Sequence, residues 1–223
     1  MTAGEEVLTR MRRYRIVPVL VVNDPGHAAP LASALCDGGL ACAEVTYRTP
    51  AAGEVLRRMR DARPDMLIGA GTVLTPACAA EARAAGAAFV VAPGFNPAVV
   101  DFCQAHDIPV FPGVCTPTEI EAAMAKDLRV LKFFPAEPMG GVRTLRAIAA
   151  PYGELSFIPT GGIGLDTLAG YLAFERVVAC GGSWMAPAAW LDTGDFGRVR
   201  TETARAVAAV AAVAAVGPTE AHT

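Results

Sequence analysis

The sequence predicts an α/β fold, a (β/α)8 TIM barrel with an additional N-terminal helix, on three observations. Eight apolar runs begin at intervals of 20 to 26 residues, and each is followed by a segment of helical composition. Strands that alternate with helices at this period pair in parallel, because each helix serves as a crossover. The 223 residues are close to the ~250 of a typical eight-unit barrel. A doubly wound open sheet is the alternative, but it needs fewer strands and a reversal of strand order.

The elements are predicted in chain order. A helix from Glu5 to Tyr14 precedes the repeat, because this segment has helix-forming composition and a polar face. The barrel is expected over about residues 15–191, a C-terminal helix over about 195–216 and a mobile tail over 217–223, all within one domain. The strands are predicted to begin near Ile16, Ala41, Leu67, Phe89, Pro109, Val130, Ser156 and Val177.

Proline and glycine mark the junctions of this repeat. Asp, Thr or Asn accepts hydrogen bonds from the first free amides of a helix, and proline suits its first position. Glycines after a helix are expected to be left-handed, here at Gly38-Gly39 and Gly86. The predicted helix starts are Asp24-Pro25, Thr49-Pro50, Thr75-Pro76, Asn96-Pro97 and Thr116-Pro117. Four prolines in or beside predicted strands are expected at strand carboxyl ends, namely Pro93, Pro112, Pro135 and Pro159.

Composition excludes several classes of protein. A net charge of −3 and a pI near 5.6 give no electrostatic reason to bind nucleic acid or an anionic membrane. The N-terminus lacks the apolar region of a signal peptide, and the apolar block from Ala206 to Val216 is too short to span a bilayer. Six scattered cysteines predict reduced thiols in a cytoplasmic protein, and three dispersed histidines predict no metal site.

Lys132 is the first candidate for chemistry, because it interrupts the apolar strand that begins at Val130. An ammonium in an apolar wall is penalised and tends to lose its proton, and a neutral amine attacks carbonyl carbon to give a Schiff base. Only Lys126 and Lys132 are lysines, whereas the other seventeen cations are arginines that do no amine chemistry. The alternative is a lysine that pairs with a carboxylate or reaches water.

Glu44 and Arg48 lie on one side of the second predicted strand, since alternate residues share a face. A lone glutamate inside a barrel is costly unless paired, so Glu44 is either the ion-pair partner of Lys132 or a general base. Arg48 is predicted to curl in from the following loop, where its guanidinium suits a substrate carboxylate. The other interpretation of Arg48 is an ordinary surface cation.

Glycine-rich strand ends supply the remaining candidates. The hydroxyl and amide of Thr72 suit a carboxylate, although the glycines before it are equally explained by a tight barrel layer. Gly161-Gly162 and Gly181-Gly182, the latter followed by Ser183, end the seventh and eighth predicted strands. Paired glycines expose amides that cradle an anion, and barrels commonly bind phosphate at these two strand ends. The alternative is a pair of tight turns.

Together these motifs resemble the 2-keto-3-deoxy-6-phosphogluconate (KDPG) / 4-hydroxy-2-oxoglutarate (KHG) aldolase family, class I, from about Arg15 to Leu191. No single motif is specific for this family, but the set of motifs in this order is. The motifs are EVTYRT from Glu44, GAGTVL from Gly69, APG from Ala92, KFFPAE from Lys132, PTGG from Pro159 and GGSW from Gly181.

The resemblance implies a role for each matching position. Lys132 forms the Schiff base and Glu44 moves protons, while Arg48 and Thr72 hold the pyruvate carboxylate. Phosphate lies against glycines and a serine, and the family needs no metal or cofactor and is typically homotrimeric. The phosphate-binding positions are Gly161, Gly162, Gly182 and Ser183, and those of the pocket wall are Pro93, Phe134 and Thr160.

The implied reaction is cleavage of 2-dehydro-3-deoxy-6-phosphogluconate to pyruvate and glyceraldehyde 3-phosphate, and of 4-hydroxy-2-oxoglutarate to pyruvate and glyoxylate. The galactonate epimer is an alternative substrate for the same Lys132 and Glu44. A phosphosugar isomerase or epimerase barrel is an alternative of another class, since it shares the Gly-Gly loops but forms no imine. A non-catalytic barrel that binds phosphorylated metabolites is the third.

Overall fold

The computed structural model describes residues 2–216, so the expected tail at 217–223 lies outside the described part of the chain. Strands and helices alternate as predicted, and a 3-10 helix (Pro25–His27) precedes α2. The strands are β1 (Ile16–Leu20), β2 (Cys42–Thr46), β3 (Leu67–Gly71), β4 (Val90–Val91), β5 (Val110–Phe111), β6 (Gly113–Val114), β7 (Val130–Phe133), β8 (Ser156–Pro159) and β9 (Cys180–Gly182). The helices are α1 (Ala3–Tyr14), α2 (Ala28–Asp37), α3 (Ala52–Ala62), α4 (Pro76–Ala84), α5 (Pro97–Ala105), α6 (Pro117–Met124), α7 (Gly141–Ala149), α8 (Leu165–Leu172), α9 (Ala188–Asp192) and α10 (Phe196–Val216).

The strands form two parallel sheets. One has six strands in the order β5-β4-β3-β2-β1-β9, and the other has three in the order β6-β7-β8. β5 and β6 are consecutive in the chain and are separated only by Pro112. Single bridges, Phe157 with Val177 and Thr160 with Gly181, join the β8 side of the small sheet to the chain around β9. The predicted parallel pairing of consecutive strands is therefore confirmed.

Pro112 divides the predicted fifth strand into β5 and β6, because proline has no amide hydrogen to donate to a ladder. Its carbonyl still accepts a hydrogen bond of 2.9 Å from the amide of Lys132. Pro93 and Pro135 follow β4 and β7, and Pro159 is the last residue of β8. These three prolines lie at strand carboxyl ends, as expected.

Four of the five predicted helix starts carry the expected side-chain cap. Asp24, Thr75 and Asn96 each accept a hydrogen bond from an amide two or three residues later, and Thr116 forms a capping box with Glu119. The prediction is wrong at Thr49. Its hydroxyl donates to the carbonyl of Val22, and α3 begins at Ala52 without a side-chain cap.

The predicted glycine ends are confirmed at Gly39 and Gly86, whose φ angles are 92° and 89°. The prediction is wrong for Gly38, which has a right-handed φ of −76°. A close approach explains this glycine instead. A Cβ at Gly38 would lie 2.7 Å from Cβ of Thr203 on α10, so its absence lets α10 pack against α2.

Apolar side chains place the strands at the centre of the molecule. Every residue of β1, β2, β3 and β7 is buried, as in parallel sheets that helices cover on both faces. Within residues 2–216, no helix is long and apolar enough to cross a bilayer. Because the strands are parallel, their carboxyl ends gather at one rim, where the candidate residues are found.

Candidate active site

Lys132 is the third residue of β7 and is almost completely buried, with 4% of its side chain exposed. Gly113 and Ile158 are its partners on the neighbouring strands. The apolar sequence of β7 explains this burial, because both faces of the strand are covered and its one polar residue is buried whichever face it lies on. The prediction that this lysine lies within a buried strand is confirmed.

Glu44 meets Lys132 inside the molecule. The distance from Glu44 Oε1 to Lys132 Nζ is 3.5 Å, and 5% of the Glu44 side chain is exposed. β2 belongs to the six-stranded sheet and β7 to the three-stranded sheet, so this ion pair spans the space between them. Glu44 Oε1 has no hydrogen-bond partner among the described residues. A buried carboxylate oxygen with no donor is available to accept a proton from a bound molecule.

Gly71 leaves the space that the Glu44 carboxylate occupies. A Cβ built at Gly71 would overlap Oε1 and Cδ of Glu44. Thr46 and Gly71 are paired in the register of β2 with β3, two positions beyond Glu44. The glycine at this point of the GAGT motif is thus explained by the glutamate, a relation between strands that the sequence alone does not reveal.

Arg48 and Thr72 form a second polar group at the same rim. Nε of Arg48 donates a hydrogen bond of 3.1 Å to Oγ1 of Thr72. Arg48 lies in the loop after β2 and is exposed, so its predicted turn towards a substrate carboxylate stays a prediction. Thr72 has a φ of 57°, which is unfavourable for a β-branched residue. Such backbone strain persists where neighbouring structure imposes it, and it is most often found at functional sites.

Phe134 and Pro93 lie close to the strand that carries Lys132. The Phe134 ring centroid is 5.1 Å from Lys132 Nζ. The same ring lies 3.3 Å from the position of a Cβ built at Gly161, so it separates the amine from the glycine loop. The carbonyl of Pro93 occupies the space that a Cβ at Gly113 would need, which brings Pro93 against the strand next to β7.

The two Gly-Gly segments are brought together. Thr160 is buried and bridges to Gly181, whose missing Cβ leaves room for the Thr160 hydroxyl. Gly161 and Gly162 have φ angles of 105° and 80°, and within the described residues their amides donate no hydrogen bond. Gly182 is covered by the ring of Trp184, and Ser183 between them is exposed.

The cysteines supply neither a nucleophile nor a metal site. All six are free thiols, and burial raises the pKa of Cys180 to about 12 and that of Cys103 to about 11. A thiol with a raised pKa stays protonated and is a poor nucleophile. In the part of the chain that the structure describes, no three His, Cys, Asp or Glu side chains are grouped as metal ligands.

One contact beside the glycine loop was missed by the sequence reasoning. The hydroxyl of Tyr171 on α8 donates to Oε1 of Glu137, which follows β7. Glu137 stands in the KFFPAE motif, but the tyrosine is 34 residues away in an ordinary helical segment. No local pattern marks this tyrosine as part of the site.

These features define a parallel α/β protein with a buried lysine and glutamate at its centre. The family model described as KDPG and KHG aldolase matches residues 7–202. The chain therefore belongs to the KDPG and KHG aldolase family, and the resemblance stated from its motifs is confirmed.

Relatives with curated names agree with this assignment. A 2-dehydro-3-deoxy-phosphogluconate aldolase of Treponema pallidum (strain Nichols) is 49% identical over 193 residues, which cover 86% of this chain and 92% of that protein. A KHG/KDPG aldolase of Escherichia coli (strain K12) is 42% identical over 204 residues, or 92% of this chain and 94% of that protein.

A solved structure resembles the fold closely. It is a KDPG aldolase from Legionella pneumophila, with pyruvate captured at low pH as a covalent carbinolamine intermediate. The TM-score is 0.86 at 34% identity, and the match covers 90% of this chain and 97% of that chain.

Proposed function

We propose that the chain is a class I aldolase that cleaves 2-dehydro-3-deoxy-6-phosphogluconate to pyruvate and glyceraldehyde 3-phosphate. 4-Hydroxy-2-oxoglutarate, cleaved to pyruvate and glyoxylate, is its second substrate. The observation that carries this proposal is the buried Lys132 amine 3.5 Å from the Glu44 carboxylate. The names of the relatives support it, as does the carbinolamine described for the Legionella enzyme.

The two residues divide the chemistry. Lys132 transfers its proton to Glu44 and attacks C2 of the keto acid as the neutral amine. Glu44 returns that proton to the carbinolamine hydroxyl, which leaves as water and gives an iminium. Glu44 accepts the proton of the C4 hydroxyl as the C3–C4 bond breaks, and the bond electrons pass to the iminium nitrogen to form an enamine. Protonation at C3 and hydrolysis then release pyruvate and restore the amine. The iminium serves as the electron sink of this sequence.

The two ends of the substrate are held by different groups. Arg48 and Thr72 bind the pyruvate carboxylate, which a guanidinium and a hydroxyl suit by charge and geometry. Phosphate binds the opposite side, where free amides of a glycine loop form an anion cradle. The phosphate-binding residues are Gly161, Gly162, Gly182 and Ser183, and the wall between the two ends is formed by Pro93, Phe134 and Thr160.

We infer that the two sheets form one closed eight-unit barrel within a single domain. The chain passes directly from β5 to β6 through Pro112, and bridges tie β8 to the chain around β9. The Lys132–Glu44 contact between the sheets agrees with this closure. By analogy with the family, the chain assembles as a cytoplasmic homotrimer, and native mass spectrometry tests that assembly.

Borohydride reduction in the presence of pyruvate, followed by peptide mapping, tests the mechanism. With two lysines in the chain, the result is nearly binary. We expect the adduct on Lys132, while Lys126, which is paired with Asp101 at 2.6 Å, remains unmodified. Lys126→Arg is the matched control and retains trapping, whereas Lys132→Arg abolishes it. An adduct on Lys126 contradicts the proposed role of Lys132. Absence of any adduct contradicts the proposal as a whole and favours an isomerase or a binding protein.

The substrate is tested separately by steady-state kinetics with the two C4 epimers. We expect a higher kcat/KM for the gluconate epimer than for the galactonate epimer. The opposite preference leaves the Schiff-base chemistry in place and reassigns the substrate.

A further inference from the structure

The loop after β7 is bonded to the loop after β8. The amide of Ala136 donates a hydrogen bond of 2.8 Å to the carbonyl of Thr160. The amide of Glu137 donates one of 2.9 Å to the carbonyl of Gly161. These bonds extend the β7–β8 ladder past Phe133 and Pro159, where the strands end. The backbone that leads away from Lys132 is therefore fixed against the loop proposed to bind phosphate.

A side-chain hydrogen bond joins the loop after β7 to the helix that follows the Gly161-Gly162 loop. α8 begins at Leu165, just after the Gly161-Gly162 segment, and its Tyr171 donates a hydrogen bond to Oε1 of Glu137. Tyr171 is 1% exposed. Burial raises the pKa of the Tyr171 hydroxyl, and the Glu137 carboxylate raises it further, so the hydroxyl stays protonated and remains a donor.

The aliphatic part of the Glu137 side chain also packs against the Gly161-Gly162 loop. A Cβ built at Gly162 would lie 2.7 Å from Cβ of Glu137, which shows how closely the two backbones approach. At Gly141 a Cβ would lie 3.2 Å from Oε1 of Glu137 and 3.5 Å from the Tyr171 hydroxyl. Gly141 and Gly162 both have positive φ angles, and both approach the half-buried Glu137 closely.

We propose that Glu137 and Tyr171 are positioning residues that hold the Gly161 and Gly162 amides in the orientation that binds the substrate phosphate. The inference rests on the proposed aldolase function. Amides held in place before binding lose less entropy when the anion arrives. Glu137 contacts the loop through its backbone amide and its Cβ, and its carboxylate is held by Tyr171 on the helix that follows the loop, so its contacts act on the phosphate end of the substrate.

Tyr171→Phe tests the proposal, because it removes the donor and keeps the ring that fills the core. Hydrogen bonds to charged groups contribute ~1.5–3 kcal/mol, so we expect KM for 2-dehydro-3-deoxy-6-phosphogluconate to rise roughly tenfold or more. We expect kcat at saturation to change by less than about twofold, since the lost interaction is one of binding. The phosphate-free reference is deuterium exchange into the methyl group of pyruvate, which needs the imine and a base at C3 but no phosphate contact, and so keeps its wild-type KM.

Two further variants separate positioning from simple loss of structure. Glu137→Gln keeps an oxygen that accepts from Tyr171, so its KM for the phosphorylated substrate lies nearer to the wild-type value than that of Glu137→Ala. Tyr152→Phe is the matched control, because Tyr152 donates to Glu121 at 3.0 Å in a similar pair between other elements. We expect Tyr152→Phe to leave the KM of both reactions unchanged.

The possible results distinguish this inference from the proposed function. If Tyr171→Phe shifts the KM values of both reactions equally, or shifts neither, the positioning role is wrong and the aldolase assignment stands. If wild-type protein forms no imine with pyruvate, the proposed function itself is wrong. A selective rise in KM for the phosphorylated substrate supports the positioning role.

Discussion

Lys132 and Glu44 form an ion pair with poor geometry for stability. Burying two charges costs several kcal/mol per ion, and this cost is offset only when both partners are fully hydrogen-bonded. Here Glu44 Oε1 has no hydrogen bond within the described chain, and its distance to Nζ is 3.5 Å. A pair held in this state is better suited to exchange protons with a bound substrate than to stabilise the fold.

Glu44→Gln separates the two halves of the mechanism. The amide cannot accept a proton, so we expect kcat for aldol cleavage to fall roughly 10²–10⁴-fold, the usual contribution of a general base. Borohydride trapping of pyruvate should persist, because Lys132 still condenses with the ketone. Loss of trapping in a folded variant would instead make Glu44 essential for imine formation.

Gly71→Ala tests the space beside the carboxylate. Because the new methyl group would overlap Glu44, the carboxylate must move away from Lys132, and we expect kcat to fall by about 100-fold. Gly153→Ala is the control, since a Cβ there meets no atom within 4 Å. Equal activities of the two variants would show that the glycine has no part in placing Glu44.

At the scale of elements, the sequence predicted a helix start correctly where the capping hydrogen bond joins residues that are neighbours in the chain. The capping box of Thr116 and Glu119 lies within four consecutive positions, and the sequence predicted that helix start correctly. Thr49 failed because its hydroxyl bonds to Val22, which is 27 residues away. The Tyr171–Glu137 bond escaped prediction for the same physical reason, since it depends on how α8 packs.

The capping box gives an element-scale prediction. Thr116→Ala removes the side-chain acceptor for the amide of Glu119, and we expect the free energy of unfolding to fall by about 1 kcal/mol. Thr118→Ala is the control, because Thr118 is an exposed residue of the same helical turn. Urea denaturation of both variants measures the difference. A loss of equal size in the control would contradict a capping role.

At the scale of the whole molecule, topology carried the prediction of the site. Lys132 and Glu44 are far apart in the chain, yet the parallel arrangement of the strands brings β2 of one sheet and β7 of the other into contact. The sequence period therefore predicted which residues meet. The interruption of the sheet at Pro112 follows from the missing amide hydrogen of that proline, whereas the left-handed backbone of Thr72 could not be predicted, because it depends on packing between neighbouring units.

Buried thiols predict how stability depends on pH. Burial raises the pKa of Cys103 to about 11 and that of Cys180 to about 12, from an ordinary value of 9. The contribution of the two protonated thiols to the free energy of unfolding is fully present below pH 9. It declines as the pH rises towards 11–12, because the unfolded chain releases these protons first.

Chemical denaturation under reducing conditions between pH 8 and pH 11 measures this decline. We expect the free energy of unfolding to fall with a slope of up to ~1.4 kcal/mol per pH unit for each thiol. Cys103→Ala with Cys180→Ala should reduce the slope, while Cys42, whose pKa burial also raises, continues to contribute to it. A slope identical to that of the wild-type protein would assign the alkaline loss to other groups.

The scarcity of lysine has a practical consequence for attaching the protein to a support. Lys126 follows α6, so it lies at the amino ends of the parallel strands, opposite the rim that carries Arg48 and Thr72. Of the two ε-amines, only that of Lys126 is accessible, with 35% of its side chain exposed. Lysine-directed immobilisation would therefore attach each molecule at the amino ends of its strands and leave the candidate active site exposed to the solvent.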